Sequence, residues 1–187
     1  MTTPPKHTVG LPTALFFGAC VVAALLAGEA RAAGDESPPA KPNCPKGQVW
    51  DSTSKKCVMQ TSQAASDADR TDYAYRLAKD GRYEEALALL DTLNNPHTAK
   101  ALNYRGYATR KLGRTDEGIG YYLQSVALDP EYAQVREYLG EAYVIKGRLD
   151  LAQEQLAKIE TLCSKACEEY EDLADAIARA ADKPASS

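Results

Sequence analysis

Four regimes of apolar and polar patterning succeed one another along the chain. From Ala14 to Ala27 the side chains are almost all apolar, with Lys6 ahead of the run and Ala30-Arg31-Ala32 behind it. A basic start, a short apolar stretch and a small-x-small ending form the pattern of a removable export signal, and cleavage is expected after Ala32. A membrane-spanning helix needs about 20 apolar residues, whereas Gly10, Pro12 and Gly28 bracket this run closely. Cys20 follows Phe17-Gly18-Ala19, but the apolar run continues past it to Leu26. A lipid-bearing cysteine should close such a run, so lipidation is not the reading taken.

Residues 33–43 are rich in Pro and polar side chains and read as a linker. In residues 44–59, Val49-Trp50 and Val58-Met59 are two short apolar pairs around a polar turn, the pattern of a small β-hairpin. Residues 60–66 are polar again and read as a second linker, leaving the hairpin on a tether. From Asp67 to Asp182 the period becomes helical, and residues 183–187 form a tail. At the end of the helical region Tyr170, Leu173, Ala174, Ile177 and Ala181 fall on one stripe, with Glu171, Asp172 and Arg179 opposite. That stripe suits a helix that caps the last apolar face of a stack.

Within the helical region three segments align on a Gly-Arg step, Gly81-Arg82, Gly113-Arg114 and Gly147-Arg148, with the glycines 32 and 34 residues apart. A helix-turn-helix unit repeating every 34 residues is the period of tetratricopeptide repeats, and the chain from Asp67 to Ala166 resembles that family. The small position of the first helix falls on Ala74, Gly106 and Gly140. The aromatic or small positions of the second fall on Tyr83, Ala86, Tyr122 and Ala152, and the closing proline on Pro96 and Pro130. Glycine in each turn takes positive φ at no steric cost, and Pro130 stops a helix. Three departures stand out: Gly118 replaces an expected alanine with Gly120 nearby, the first repeat is two residues short, and Ser164 stands where a proline is expected. The fold expected is all-α, a solenoid of three repeats plus a C-terminal capping helix, preceded by a small N-terminal hairpin stapled by a disulfide.

Composition then narrows the chemistry. Losing residues 1–32 removes Cys20, both phenylalanines, His7, Lys6, Arg31 and Glu29, which leaves four cysteines, one histidine (His97), 20 basic and 25 acidic side chains. An even cysteine count in an exported chain points to disulfides, and proximity pairs Cys44 with Cys57 and Cys163 with Cys167. Residues at i and i+4 of a helix hold their Cβ atoms about 5 to 6 Å apart and a disulfide wants about 3.8 Å, so the helix is expected to break between Cys163 and Cys167. With one histidine there is little from which to build a zinc set, and His97, the one histidine base a nucleophile could use, lies in the turn Asn94-Asn95-Pro96-His97 and reads as a solvent-facing turn residue. Adjacent carboxylates such as Glu84-Glu85 and Glu168-Glu169 diverge on a helix and read as solvated charges. No catalytic residue, metal or cofactor is expected, and the acidic balance does not suit nucleic acid.

Binding is what remains. In tetratricopeptide proteins the first helices line a concave groove, and the resemblance assigns that role here to Tyr75, Lys79, Asn103, Tyr107, Arg110, Lys111, Gln134, Glu137, Glu141 and Val144. The middle of this set is basic and flanked by tyrosine, which suits an extended peptide or an acidic tail. Asn103 and Lys111 are of the types used in the family's carboxylate clamp, but the register differs and the first repeat has no matching pair. The expected role is a non-catalytic scaffold or adaptor of the bacterial periplasm or secreted space, binding a peptide or protein. Two alternatives are an envelope-glycan binder acting through Trp50 and a thiol-redox protein using Cys163 and Cys167. Arg82, Arg114 and Arg148 are expected to line one edge, each keeping its turn soluble.

Overall fold

The computed structural model describes residues 42–182; the expected signal, most of the 33–43 linker and the 183–187 tail lie outside the described residues. Two strands, β1 (Gln48–Asp51) and β2 (Lys56–Met59), precede seven helices: α1 (Asp67–Lys79), α2 (Tyr83–Leu90), α3 (Ala99–Lys111), α4 (Thr115–Leu128), α5 (Ala133–Ile145), α6 (Leu149–Cys163) and α7 (Glu168–Ala181). The architecture is the expected helical solenoid with a small hairpin. Each repeat is a helix pair, α1 with α2, α3 with α4 and α5 with α6. The first helices α1, α3, α5 and then α7 touch in succession, and α2, α4 and α6 each contact the next first helix. α7 therefore occupies the place of a fourth first helix. Among the described residues no helix is long and apolar enough to cross a membrane.

The recurring Gly-Arg step has a backbone cause. Gly81, Gly113 and Gly147 take φ of 79°, 85° and 70°, and the next residue's N–H reaches back to close the preceding helix. Arg82 N donates to Leu77 O at 2.8 Å, Arg114 N to Thr109 O at 3.2 Å and Arg148 N to Tyr143 O at 2.8 Å. This 6→1 bond with glycine in the left-handed position is the Schellman closure. The arginine side chains are engaged locally: Arg82 pairs with Glu85 at 2.9 Å, Arg114 with Glu117 at 3.1 Å, and Arg148 lies 4.9 Å from the Tyr143 ring. Two first helices start on side-chain caps, Ser66 accepting from Asp69 N and Thr98 from Ala101 N. Asp67 ties the start of α1 to the turn after α2, accepting from Asn94 N and Asn95 N as well as from Arg70. Burial opposes the ionised form, but these donors outweigh it and hold the Asp67 carboxyl below its ordinary range.

Glycine also sets how closely the helices of the middle repeat approach. A Cβ on Gly106 would lie 2.6 Å from the buried Tyr122 ring, and one on Gly118 would lie 3.0 Å from the Gly106 carbonyl and 3.1 Å from Arg110 Cβ. Gly118 is thus demanded by contact between α3 and α4, while Gly120 faces open space and carries only the helix cost of about 1 kcal/mol. Gly140 does the same for the third repeat, since its Cβ would meet the fully buried Leu173 of α7 at 2.5 Å. Ser164, in place of the expected proline, ends α6 by taking φ of 71°, and α7 starts only at Glu168. The Cys163–Cys167 disulfide crosses this break with Cα atoms 5.9 Å apart.

At the other end the hairpin differs from its expected tether. β1 and β2 are antiparallel with Trp50 opposite Cys57, and Cys57 is bonded to Cys44. The Tyr73 hydroxyl of α1 accepts from Cys44 N at 2.7 Å and donates to Cys44 O at 3.1 Å. Val49 is fully buried against the helices and Trp50 is partly buried beside the same core. Residues 60–66 are not a free spacer: Ala65 is buried, Ser66 caps α1, and Arg70 donates to Ser62 O at 2.6 Å. A two-stranded hairpin is marginal alone, and here its apolar face is completed by α1.

Candidate functional site

The first helices bring tyrosines from all three repeats to one surface. Tyr75 of α1 stacks on Tyr104 of α3 with ring centroids 4.3 Å apart and meets Tyr107 edge-on at 6.1 Å; Tyr107 in turn lies 5.0 Å from Tyr138 of α5. The hydroxyls of Tyr75 and Tyr138 share a hydrogen bond of 2.9 Å. Such offset and tilted pairs contribute about 0.5–1.5 kcal/mol each beyond area burial. Burial raises the Tyr104 and Tyr138 hydroxyls well above the usual phenol range, so both stay neutral.

Above the floor lies a recess of about 270 Å³ with two walls of opposite charge. Lys79 and Lys111 stand on one side; Glu137 and Glu141 of α5 and Glu168, Glu169 and Asp172 of α7 stand on the other. Of the ten residues assigned to the groove, seven line this recess: Tyr75, Lys79, Tyr107, Lys111, Gln134, Glu137 and Glu141. The other three sit elsewhere. Asn103 is fully buried and donates to Tyr132 Oη and Gln134 Oε1, both at 3.1 Å, so its amide braces α3 against α5. Arg110 is 6% exposed, donating to Tyr122 Oη at 3.2 Å and to Glu141 Oε2 at 2.6 Å. Its charge is committed inside the protein, so the groove is not basic in the middle. Val144 lines a separate, wider depression of about 780 Å³ together with that ion pair, Ile145, Ala176 and Ala180.

The acidic wall is where reading the chain falls short. Glu168, Glu169 and Asp172 look solvated on a helix taken alone, but α7 continues the row of first helices and turns them toward the recess. Glu137 feels the result most. Burial first, and then the carboxylates of Glu141, Asp172, Glu169 and Glu168, push its pKa up to about 8. It is 6% exposed, and among the described residues it has no hydrogen bond or ion pair. The signal that could have exposed this wall was the α7 stripe itself, because Leu173 packing on Gly140 sets which way Glu169 and Asp172 face.

Cys163, Cys167 and Glu169 place potential metal-ligating atoms within 4.8 Å of one another. Both sulfurs belong to the disulfide, so this group presents no thiolate.

Stacked helix pairs with a lined recess on the first-helix face define a solenoid of the peptide- or protein-binding kind. The sequence matches the tetratricopeptide repeat model over residues 72–133 and 105–166, and the chain belongs to that family. No curated protein matches it. Its fold is similar to that of the second TPR domain of human RPAP3, determined in complex with the HSP70 peptide SGPTIEEVD, at 18% identity over 63% of this chain and 96% of that one, TM-score 0.51. It is also similar to the Yersinia enterocolitica type III secretion translocator chaperone SycD, at 19% identity over 64% and 92%, TM-score 0.50. A MamA RS-1 double mutant is 26% identical over 51% of this chain, TM-score 0.47, and the match spans 55% of that protein.

Proposed function

We propose that this chain is a non-catalytic interaction scaffold of the bacterial cell envelope, which holds a peptide or a segment of a protein partner in the recess of its first-helix face. The observation that carries this reading is the recess itself: a rigid tyrosine floor crossing three repeats, walled by exposed Lys79 and Lys111 and by the carboxylates of α5 and α7. Tyrosines supply contact area with few rotamers to freeze, and charged walls give orientation and selectivity. The human and Yersinia relatives of similar fold, one a peptide complex and one a chaperone, support the same use of the fold. The envelope location rests on the export pattern of residues 1–32 and on the two cysteine pairs, which suit an oxidising compartment.

A photo-crosslinking residue placed at Lys111 or Glu169, compared with one at the exposed Gln124 of α4, tests the reading in intact cells. Crosslinked partner identified by mass spectrometry from the two recess positions, with little from Gln124, is the expected result. Crosslinks arising from Gln124 alone would move the interface to the outer helices. A mature chain beginning at Ala33 in the periplasmic fraction is expected, and retention of the leader would remove the envelope assignment.

A further inference from the structure

We infer that the recess takes a basic segment, seating a Lys or Arg side chain of the partner between the Tyr107–Tyr138 floor and the carboxylates of α5 and α7. This rests on the groove reading above and names the chemistry of the occupant, which is the reverse of the acidic tail suggested by α3 alone.

Charge is the first argument. Arg110 and Glu141 neutralise each other at 2.6 Å, which leaves Lys79 and Lys111 facing Glu137, Glu168, Glu169 and Asp172. An acidic segment entering this space meets an excess of its own sign, and a basic one meets complementary charge.

Glu137 is the second. Glu137 is 6% exposed as a residue and turns its carboxyl to the recess, where it has the Coulomb attraction of Lys79 but no hydrogen bond or ion pair among the described residues, so its charge is costly unless something arrives to pair with it. Unoccupied, the site favours the protonated acid. A guanidinium or ammonium group from the partner stabilises the carboxylate, and the displaced proton passes to solvent. The groups facing Glu137 set this balance from every side: Tyr75 and Lys79 from α1, Tyr107 and Lys111 from α3. Tyr138 and Glu141 face it from α5 itself, and three further carboxylates from α7.

The floor is the third argument, because it already accommodates ammonium groups. Lys79 lies 5.8 Å from the ring centroids of both Tyr75 and Tyr107, and Lys111 lies 5.4 Å from that of Tyr107. Tyrosine faces attract cations within about 6 Å, and the partner's cation extends the same arrangement toward the acidic wall.

Fluorescence anisotropy of the full oxidised chain with a fluorescein-labelled octapeptide of alternating Gly and Lys, and with its Gly/Glu counterpart, tests the inference. The Gly/Lys peptide should bind at least tenfold tighter than the Gly/Glu peptide at pH 8. Glu137→Gln, and the pair of half-buried Glu169→Gln with exposed Asp172→Asn, should each weaken it about tenfold. The distant Glu154→Gln on α6 should leave it unchanged, and Lys79→Ala should not weaken it. Binding of the Gly/Lys peptide should release protons at pH 7, read as a dependence of calorimetric heat on buffer ionisation enthalpy. A preference for the Gly/Glu peptide abolished by Lys111→Ala would overturn the basic occupant while leaving the crosslinks at Lys111 and Glu169 in place. Equal loss with Glu154→Gln, or self-association that excludes both peptides, overturns it as well. Absence of the recess crosslinks removes the groove reading beneath it.

Discussion

The two ends of the solenoid are closed in contrasting ways. At the first repeat a stapled hairpin lays Val49 on α1 and satisfies both backbone groups of Cys44 with one tyrosine hydroxyl. At the third repeat the cover is another helix, in register with the first helices, seated by Leu173 against Gly140. The hairpin seals an end without reaching the recess. The helix seals the other and supplies three of the carboxylates that line it. A repeat array must hide its last apolar face, and the form of that cover decides whether it stays a lid or becomes part of the site.

The largest effect expected from breaking this contrast is at Leu173. Leu173→Ala empties a fully buried position between α5 and α7 and should cost about 4 kcal/mol in chemical denaturation. It should also loosen the acidic wall and lower protection from amide exchange more at α7 than at the hairpin. Simultaneous loss of protection at both ends would show that the two covers are not independent.

Next comes pH, which between about 4.5 and 8 should act through the helical end, whereas the lowered carboxyl of Asp67 at the other end responds only in acid. Glu137 has a folded pKa of about 8 against an ordinary value of 4.5, so between those values the folded chain holds a proton that the unfolded chain has released. Stability therefore falls as pH rises from about 4.5 to about 8, by on the order of 3 kcal/mol. Glu137→Gln should flatten that slope in melting curves and raise the melting temperature at pH 8.5 relative to the parent, with little difference near pH 4.5. An unchanged slope would remove Glu137 as its source.

The smallest effect separates the two disulfides. Cys44 and Cys57 close a loop of 13 residues and Cys163 and Cys167 one of 4, for which the chain-entropy model gives about 3 and about 2 kcal/mol. Paired serine substitutions at the first bond should therefore lower the denaturation midpoint more than those at the second. The reverse order would mean that the short staple acts mainly by holding the start of α7.

The parts of the fold legible in the chain were those with a local cause. Gly81, Gly113 and Gly147 marked their turns because only the backbone closure of the preceding helix needs positive φ there. What the chain hid depends on partners distant in sequence. Gly118 looked like a cost until Gly106 and Arg110 were seen within contact distance of its missing Cβ. Arg110 looked like a ligand contact because nothing near it in sequence shows that Tyr122 and Glu141 claim its nitrogens. Glu169 and Asp172 looked solvated because their direction is set by Leu173 meeting a glycine 33 residues earlier. The residues lining the recess were largely readable from the repeat register, whereas the sign of its charge was a tertiary property.

The hydroxyl bond between Tyr75 and Tyr138 bears on how the array comes apart. In an ideal solenoid each unit answers only to its neighbours, so ends can fray one unit at a time and stability behaves as a one-dimensional sum. A link from the first unit to the third, passing over the second, adds a next-nearest-neighbour term to that sum. Either terminal unit must then give up a contact with the far one before it can peel away, which favours concerted unfolding over stepwise fraying. Because that link lies within the recess floor, a ligand bound there couples to the cooperativity of all three units at once.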